Sequence, residues 1–427
     1  MSSHSSITIE KNDEKMKRCS LLVALCWLCC LGVLAQADSL WTVSGRVIDA
    51  KTRKPMASVS VTDRSVGTVT NEEGEFTLKL KAQPEAVTFS YLGYKSQRLS
   101  FEECKSLEAR RKPVVLSPGS VMLGEVFVDG FDAKEVVLKA VDKIADNYPR
   151  QANLLRGFYR ETVQKRQRFV SISEGVVDVY KSGYHKTDLR DGVSILKGRR
   201  LLSQRRGDTL SVKLQGGPVL PVILDVVKDR EILLNLEELN NYSFRFLPPE
   251  KTDDHMQYVV EVIPYITQPY ALFKGRLYID RETYAFTKID LALDMSQPQK
   301  VTDMILRKRP LGLRFSPKEL RVIVDYKTDN GVTRLNYIRN EIRFRCDWKR
   351  RLFKSNFAVV SEMVVSDRRE GEGVKPIRFR DSFNRRDNFY DKVVYFEDPD
   401  FWGNENIIEP TEDLMKGIEK IKRRLQH

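Results

Sequence analysis

Few residues in this chain are placed to do chemistry. Beyond its first residues stand three histidines, His185, His255 and His427, and beyond residue 37 only two cysteines, Cys104 and Cys346. A zinc hydrolase needs two imidazoles and a carboxylate, or three imidazoles, at fixed spacing. His185 is followed by Lys186-Thr187-Asp188 and His255 by Met256-Gln257-Tyr258, so neither opens a His-x-x-Glu or His-Glu-x-x-His element. Asp253-Asp254-His255 reads as a polar turn before a strand. No Gly-x-Ser-x-Gly elbow, phosphate-binding loop or dinucleotide fingerprint occurs, and Gly371-Glu372-Gly373 breaks off into Pro376. Cys104, between Glu103 and Lys105, has no sequence-adjacent imidazole to activate it. Glu397-Asp398-Pro399-Asp400 is turn chemistry. These patterns lead to an expectation of no catalytic residues, no metal site and no cofactor. Two carboxylates on different strands leave no spacing signature. A hydrolase of envelope or dietary polymers using such a pair is therefore the alternative, and a purely structural scaffold is the third class.

Composition bounds the rest. The 427 residues suffice for two or three domains, and Lys+Arg 72 against Asp+Glu 59 leaves +13 spread along the chain. Lys17-Arg18, the apolar run Leu21 to Leu34 and Ala35-Gln36-Ala37 read as a signal peptide over residues 1–37, with Met16 as its start and cleavage after Ala37. Leu25, Leu28 and Cys29 precede the cysteines of that run, where a lipidated cysteine needs a small residue. Removing the signal leaves Cys104 and Cys346, too few for a disulfide scaffold. No stretch of the mature chain has the apolar length of a spanning helix. Arg378-Phe379-Arg380 and Arg385-Arg386 interleave with Phe383, Phe389 and Tyr390 as in a single-strand groove. Export argues against nucleic acid, so the stretch reads as a charged face over an aromatic core.

Between Ser44 and Phe101, short runs of period-2 alternation are punctuated by Gly, Pro and Asn, the pattern of a small antiparallel sandwich. Gly45-Arg46-Val47-Ile48-Asp49, Lys54-Pro55-Met56, Val59-Ser60-Val61, Gly67-Thr68-Val69-Thr70-Asn71, Gly74-Glu75-Phe76 and Phe89-Ser90-Tyr91-Leu92-Gly93-Tyr94 follow in order. Over residues 42–117 this set resembles the carboxypeptidase-regulatory-like (transthyretin-like) domain of Bacteroidetes-type envelope proteins. The resemblance implies a seven-stranded β-sandwich acting as an interaction or spacer module. Phe76, Phe89 and Tyr91 are expected in its core. Leu123 to Gly130 resembles the segment that follows such sandwiches in TonB-dependent transporters, but the remaining residues are too few for a plug and a large barrel at ~10 residues per membrane strand. Residues 118–132 therefore read as a linker.

Residues 133–427 read as a mainly β domain with helices. Val136/Val137, Ala140/Val141, Ile144 and Tyr148 recur at helical spacing after Asp132 and before Pro149. Strands follow over 157–162 and 169–180, then a polar excursion over 181–215 and short helices at Pro221–Lys228 and Glu231–Leu239. A meander runs from Tyr242 to Val365, and Thr411 to Gln426 forms an amphipathic helix carrying Leu414, Ile418, Ile421 and Leu425. The expected architecture is a large curved antiparallel sheet, of roughly seven strands, with its helices on one face. Asn147-Tyr148-Pro149, Gly157 to Glu161, Phe401-Trp402 and Asn406 to Pro410 resemble envelope proteins carrying the same sandwich, and the hairpin Gly275 to Ala285 is similar to those of the periplasmic lipoprotein-carrier fold. That resemblance implies an apolar groove for an acyl chain or a partner's helix, with Phe158, Tyr159 and Trp402 as its lining. The function expected is that of a non-enzymatic binding or assembly protein of the Gram-negative envelope, at the periplasm or outer membrane. Its partner would be an envelope protein, a lipid, a lipoprotein or a glycan.

Overall fold

The computed structural model describes residues 40–64, 66–119, 132–185, 191–203, 217–252, 255–305, 312–348, 354–395 and 401–425. The segment read as an export signal, with its four cysteines, most of the segment read as a linker, Asp253-Asp254, Glu397 to Asp400 and His427 lie outside the described residues. Thr42–Lys79 and Pro84–His427 form one compact unit, which carries every contact discussed below.

Seven strands build the sandwich: β1 (Trp41–Asp49), β2 (Ser60–Asp63), β3 (Val66–Val69), β4 (Glu75–Leu80), β5 (Ala86–Ser90), β6 (Gln97–Ser100) and β7 (Val114–Leu116). They form two sheets, β4-β1-β7 and β3-β2-β5-β6, with β7 parallel to β1. Alternation in β4 and β5 buries Phe76, Leu78, Val87 and Phe89 between the sheets, and Phe76 meets Phe89 edge to face at 5.3 Å. Tyr91, expected in this core, is instead half-buried beyond the end of β5, where the strand's alternation no longer directs it inward. The run 101–109, which carries no strand pattern, is a helix, α1 (Phe101–Ala109). Its capping box pairs Ser100 with Glu103 in both directions, and it buries Cys104. Cys104 and Cys346 are both free and buried, and burial pushes each thiol up to about 11.

Two short motifs close the sandwich. The Asp49 carboxylate accepts a hydrogen bond from the Tyr94 hydroxyl at 2.7 Å and one from the Lys51 amide at 2.9 Å. The shared proton pulls Asp49 down to about 2 and pushes Tyr94 up to about 12. At the second turn, Asn71 Oδ1 accepts the amides of Glu73 and Glu75, each at 2.9 Å, while Gly74 adopts φ +76°. A Cβ at position 74 would stand 2.4 Å from the Val47 carbonyl. Gly74→Ala is therefore expected to cost about 2 kcal/mol or more, read as a lowered midpoint in urea unfolding. A variant as stable as the parent would show that this turn yields.

The second part is one open sheet. Its strands are β8 (Asn153–Lys165), β9 (Arg168–Lys181), β10 (Gly192–Leu202), β11 (Tyr242–Thr252), β12 (His255–Pro264), β13 (Phe273–Asp280), β14 (Phe286–Leu293), β15 (Leu313–Asp329), β16 (Val332–Trp348), β17 (Ser355–Glu370) and β18 (Val394–Tyr395). The order is β11-β12-β13-β14-β15-β16-β17-β8-β9-β10-β18. Ten strands pair antiparallel, mostly with their sequence neighbours, and only the two-residue β18 runs parallel, beside β10. The sheet thus exceeds the seven strands expected. Part of the excess is β10, which lies inside the stretch read as a polar excursion; its charged residues Arg199 and Arg200 obscure the alternation.

Helices occupy both faces, against the expectation of one. The first face, with Tyr159, Val177, Val324 and Ile338, packs on α2 (Ala133–Asp142), α3 (Ile144–Asn147), α4 (Val219–Ile223) and α5 (Leu236–Leu239), and α6 (Pro298–Ile305) adds Val301. The second face carries Phe158, Val176, Tyr337 and Val364 against Val69 of the sandwich and against Trp402 and Ile408 of the tail. The tail helix α7 (Glu412–Leu425) lays Leu414, Ile418 and Ile421 on Ile172 and Leu201 of this same face. A single apolar stripe lets a helix cover one face only; which face is decided by where the chain returns from. Among the described residues no helix is long and apolar enough to cross a membrane.

Candidate functional site

The sandwich is held on the sheet's second face by polar ties as well as by packing. Thr68 Oγ1 donates to the Ile407 carbonyl at 2.8 Å, the Gly93 amide donates to Thr252 Oγ1 at 2.8 Å, and Arg339 pairs with Glu72 at 3.0 Å. The Asn406 side chain bonds both the amide and the carbonyl of Lys79. Lys327 Nζ donates to Thr62 Oγ1. The two parts are therefore fixed together, and the space left between them is preformed.

That space is a cleft of about 420 Å³. The sandwich side supplies Ser58, Ser60, Thr88, Ser90 and Tyr91; the sheet side supplies Gln257, Thr287, Lys288, Asp325 and Asn336. These sheet residues come from the polar positions of strands whose alternate positions fill the core of the first face, as with Lys288 beside Ile289 and Asp325 beside Val324. Thr287 Oγ1 donates to Gln257 Oε1 at 2.7 Å, and Gln257 Nε2 donates to Asp280 at 3.2 Å. Lys288 lies 3.5 Å from Asp325 and 5.3 Å from the centre of the Tyr91 ring. Burial alone would depress the Lys288 ammonium; the Asp325 carboxylate outweighs it and keeps Lys288 charged. Ser60 Oγ is buried with no hydrogen-bond partner among the described residues. The cleft adjoins a second hollow of about 570 Å³, and Thr88, Lys327 and Asn336 border both.

A third recess, about 750 Å³, opens on the other face beside α4 and α5, with Asp191 and Lys228 in its wall. Behind them, Lys181 Nζ bridges Asp225 at 2.8 Å and Asp191 at 3.0 Å. Tyr184 and Tyr326 also donate to Asp225, at 2.7 and 2.6 Å. Burial pulls Lys228 down to about 8, against the attraction of Asp191. Here Lys181, Asp191 and Asp225 are engaged with one another within the core.

The residues singled out in the sequence for a groove do not share a wall. Phe158 and Tyr159 are adjacent in β8, so they point to opposite faces. Phe158 meets Trp402 edge to face at 5.3 Å on the sandwich side, whereas Tyr159 meets Phe389 at 5.1 Å on the other. All three are buried, and none borders the cleft or the two other hollows. His255 reaches the cleft rim, 3.4 Å from Asp280, while His185 is exposed elsewhere. Among the described residues no three His, Cys, Asp or Glu side chains converge as metal ligands would. The cleft residues escaped the sequence reading because a polar position on a strand looks the same whether it faces water or another domain.

Residues 43–128 match the family model of the CarboxypepD_reg-like domain. The N-terminal sandwich is thus similar to a carboxypeptidase-regulatory-like domain. The match spans about a fifth of the chain and leaves the large sheet outside it. No curated protein matches the chain. Among solved structures, a DUF1329 family protein from Desulfovibrio piger is similar over 57% of this chain and 96% of its own, at 11% identity and a TM-score of 0.25, too slight a likeness to bear on fold or function. The carboxypeptidase-regulatory-like domain thus contributes one wall of the cleft, and the large sheet contributes the other.

Proposed function

We propose that this chain is a non-enzymatic glycan-binding protein of the Gram-negative cell envelope, with its ligand held between the carboxypeptidase-regulatory-like domain and the sheet. The observation that carries the reading is the lining of the cleft. Side-chain hydroxyls and amides from both walls, Ser60 Oγ among them unsatisfied, surround a half-buried aromatic ring. A saccharide offers matching chemistry: ring hydroxyls that both donate and accept, and a C–H face that packs on an aromatic ring. An acyl chain would leave those polar groups buried without partners, at about 1–3 kcal/mol each. The export signal read from the sequence supports the envelope location, and a carboxypeptidase-regulatory-like domain is compatible with a place outside the cytoplasm. The chain binds without turning its ligand over.

The test is a glycan array of envelope and dietary oligosaccharides probed with the purified chain, with calorimetry on each hit. Tyr91→Ala is expected to weaken a genuine cleft ligand about tenfold, the equivalent of ~1.4 kcal/mol, and Thr287→Ala to weaken it several-fold. Affinity indifferent to both substitutions, or release of new reducing ends from a bound polymer, would remove this reading.

A further inference from the structure

The second hollow continues the cleft along the sheet, and its character changes from hydroxyl to cation. It lies where the β16–β17 ladder stops, at the pair Tyr337↔Val364. Asn336 sits at an irregularity of β16, because Leu335 pairs with Tyr326 and Tyr337 with Asp325, leaving Asn336 opposite nothing. Such a bulge re-aims a side chain. Asn336 is 7% exposed, its side chain makes no hydrogen bond among the described residues, and it borders both hollows. Next to it, Arg368 donates to the Leu335 carbonyl at 3.4 Å, and its Nε is buried without a partner.

Lys327, from β15, completes the group. Two of the four carboxylates around it are otherwise engaged: Glu370 takes both arms of Arg334, and Glu85 pairs with Arg98 at 3.3 Å. Asp63 and Asp329 border the hollow but form no ion pair with Lys327 or Arg368, and neither cation has one among the described residues. Burial pulls Lys327 below its ordinary value against the attraction of Asp329, and the like charge of Arg368 adds to the pull. Burial likewise lowers Arg368, with Arg334 adding to it. Lys327 does tie the sandwich through Thr62 Oγ1, yet a fold that needed only a tie at this place would have paired these charges.

We infer that Lys327, Arg368 and Asn336 form an oxyanion subsite, where the cleft receives the carboxylate or phosphate carried by an acidic saccharide. This rests on the glycan reading of the adjoining cleft and narrows it to acidic ligands. An Arg fork beside a Lys point charge suits either group, and the Asn amide adds a donor between them.

The experiment compares glucose, glucuronate, glucose 1-phosphate and inorganic phosphate by thermal shift and calorimetry on the full chain and on Lys327→Met, Arg368→Met and Asn336→Ala. Glucuronate or glucose 1-phosphate is expected to bind at least tenfold tighter than glucose, with affinity falling as salt rises, and the three substitutions to erase that margin, with weak glucose binding retained in Arg368→Met, whose side chain lies outside the glycan cleft. The preferred acid tells a carboxylate from a phosphate ligand. Without ligand, Arg368→Met is expected to match or exceed the parent in Tm, since it removes a half-buried cation lacking a counter-ion, whereas Lys327→Met also gives up the tie to Thr62. A lower Tm in Arg368→Met would mark Arg368 as a structural tie and overturn the subsite; should that variant fail to fold, Asn336→Ala decides by the loss or retention of acid preference. Glucose and both acids binding alike sinks the subsite and leaves the glycan reading standing. Inorganic phosphate binding as tightly as the sugar acids keeps the anion site but removes the saccharide, and with it the parent reading.

Discussion

Replacing Asp225 by alanine is expected to remove a large part of the stability of the large sheet. The side chain is fully buried, forms an ion pair with Lys181 at 2.8 Å and accepts hydrogen bonds from Tyr184 and Tyr326. Its loss leaves Lys181, 1% exposed, with only Asp191, and strands two tyrosine hydroxyls inside a core where Tyr148 stacks on Tyr184 at 5.0 Å. Breaking one partner of a buried ion pair costs about 3–5 kcal/mol, against roughly 5–15 kcal/mol for a whole domain. Asp225→Asn preserves shape and acceptor capacity without the charge, so it should fall between parent and alanine variant. Urea unfolding followed by far-ultraviolet circular dichroism measures all three. An alanine variant within about 1 kcal/mol of the parent would mean that water reaches this network and screens it.

The second large effect is expected at Glu174, on the opposite face. Its carboxylate takes Arg160 Nε at 2.8 Å and Arg199 Nη2 at 2.9 Å, and it is 1% exposed. Arg160 in turn donates to the Ile408 carbonyl at 2.7 Å, and the Arg199 guanidinium lies 4.7 Å from the centre of the Trp402 ring. Glu174 thus anchors the tail segment to the sheet through two guanidiniums. Glu174→Gln should cost about 3 kcal/mol or more and speed proteolysis within residues 401–425. Burial by itself would raise the Glu174 carboxyl, but Arg160 and Arg199 outweigh it and hold it below the ordinary value. A carboxyl depressed in the folded state contributes stability above its unfolded value, near ~4.3, and that contribution is lost as pH falls through the folded value. The parent should therefore weaken below about pH 4 more steeply than Glu174→Gln. Parallel pH profiles for the two proteins would show that Glu174 does not hold this charge.

Local patterns were legible where one physical cause acts alone. The sandwich could be read because turns such as Asn71 to Gly74 demand particular residues, and because Phe76, Leu78, Val87 and Phe89 alternate with polar neighbours. The strands of the meander and the tail helix could be read for the same reason: a period of two or of 3.6 is written into any element with one buried face. β10 was hidden because Arg199 on its buried side is paired with Glu174 from β9, a satisfaction invisible along one chain segment.

Tertiary structure decided everything that depends on what covers a polar face. From the sequence, Thr287, Lys288, Asp325 and Lys327 are the solvent side of ordinary strands; the sandwich docks on them and turns that side into a cleft. Phe158, Tyr159 and Trp402 carry the strongest apolar signal near the family-like segments, and they are buried on two different faces because neighbours in a strand point opposite ways. The sequence by itself determined which residues avoid water and how each element is shaped, since burial free energy acts residue by residue. Which polar residues meet one another was settled only by packing, because a lysine facing water and a lysine facing a second domain differ in their surroundings and in nothing local.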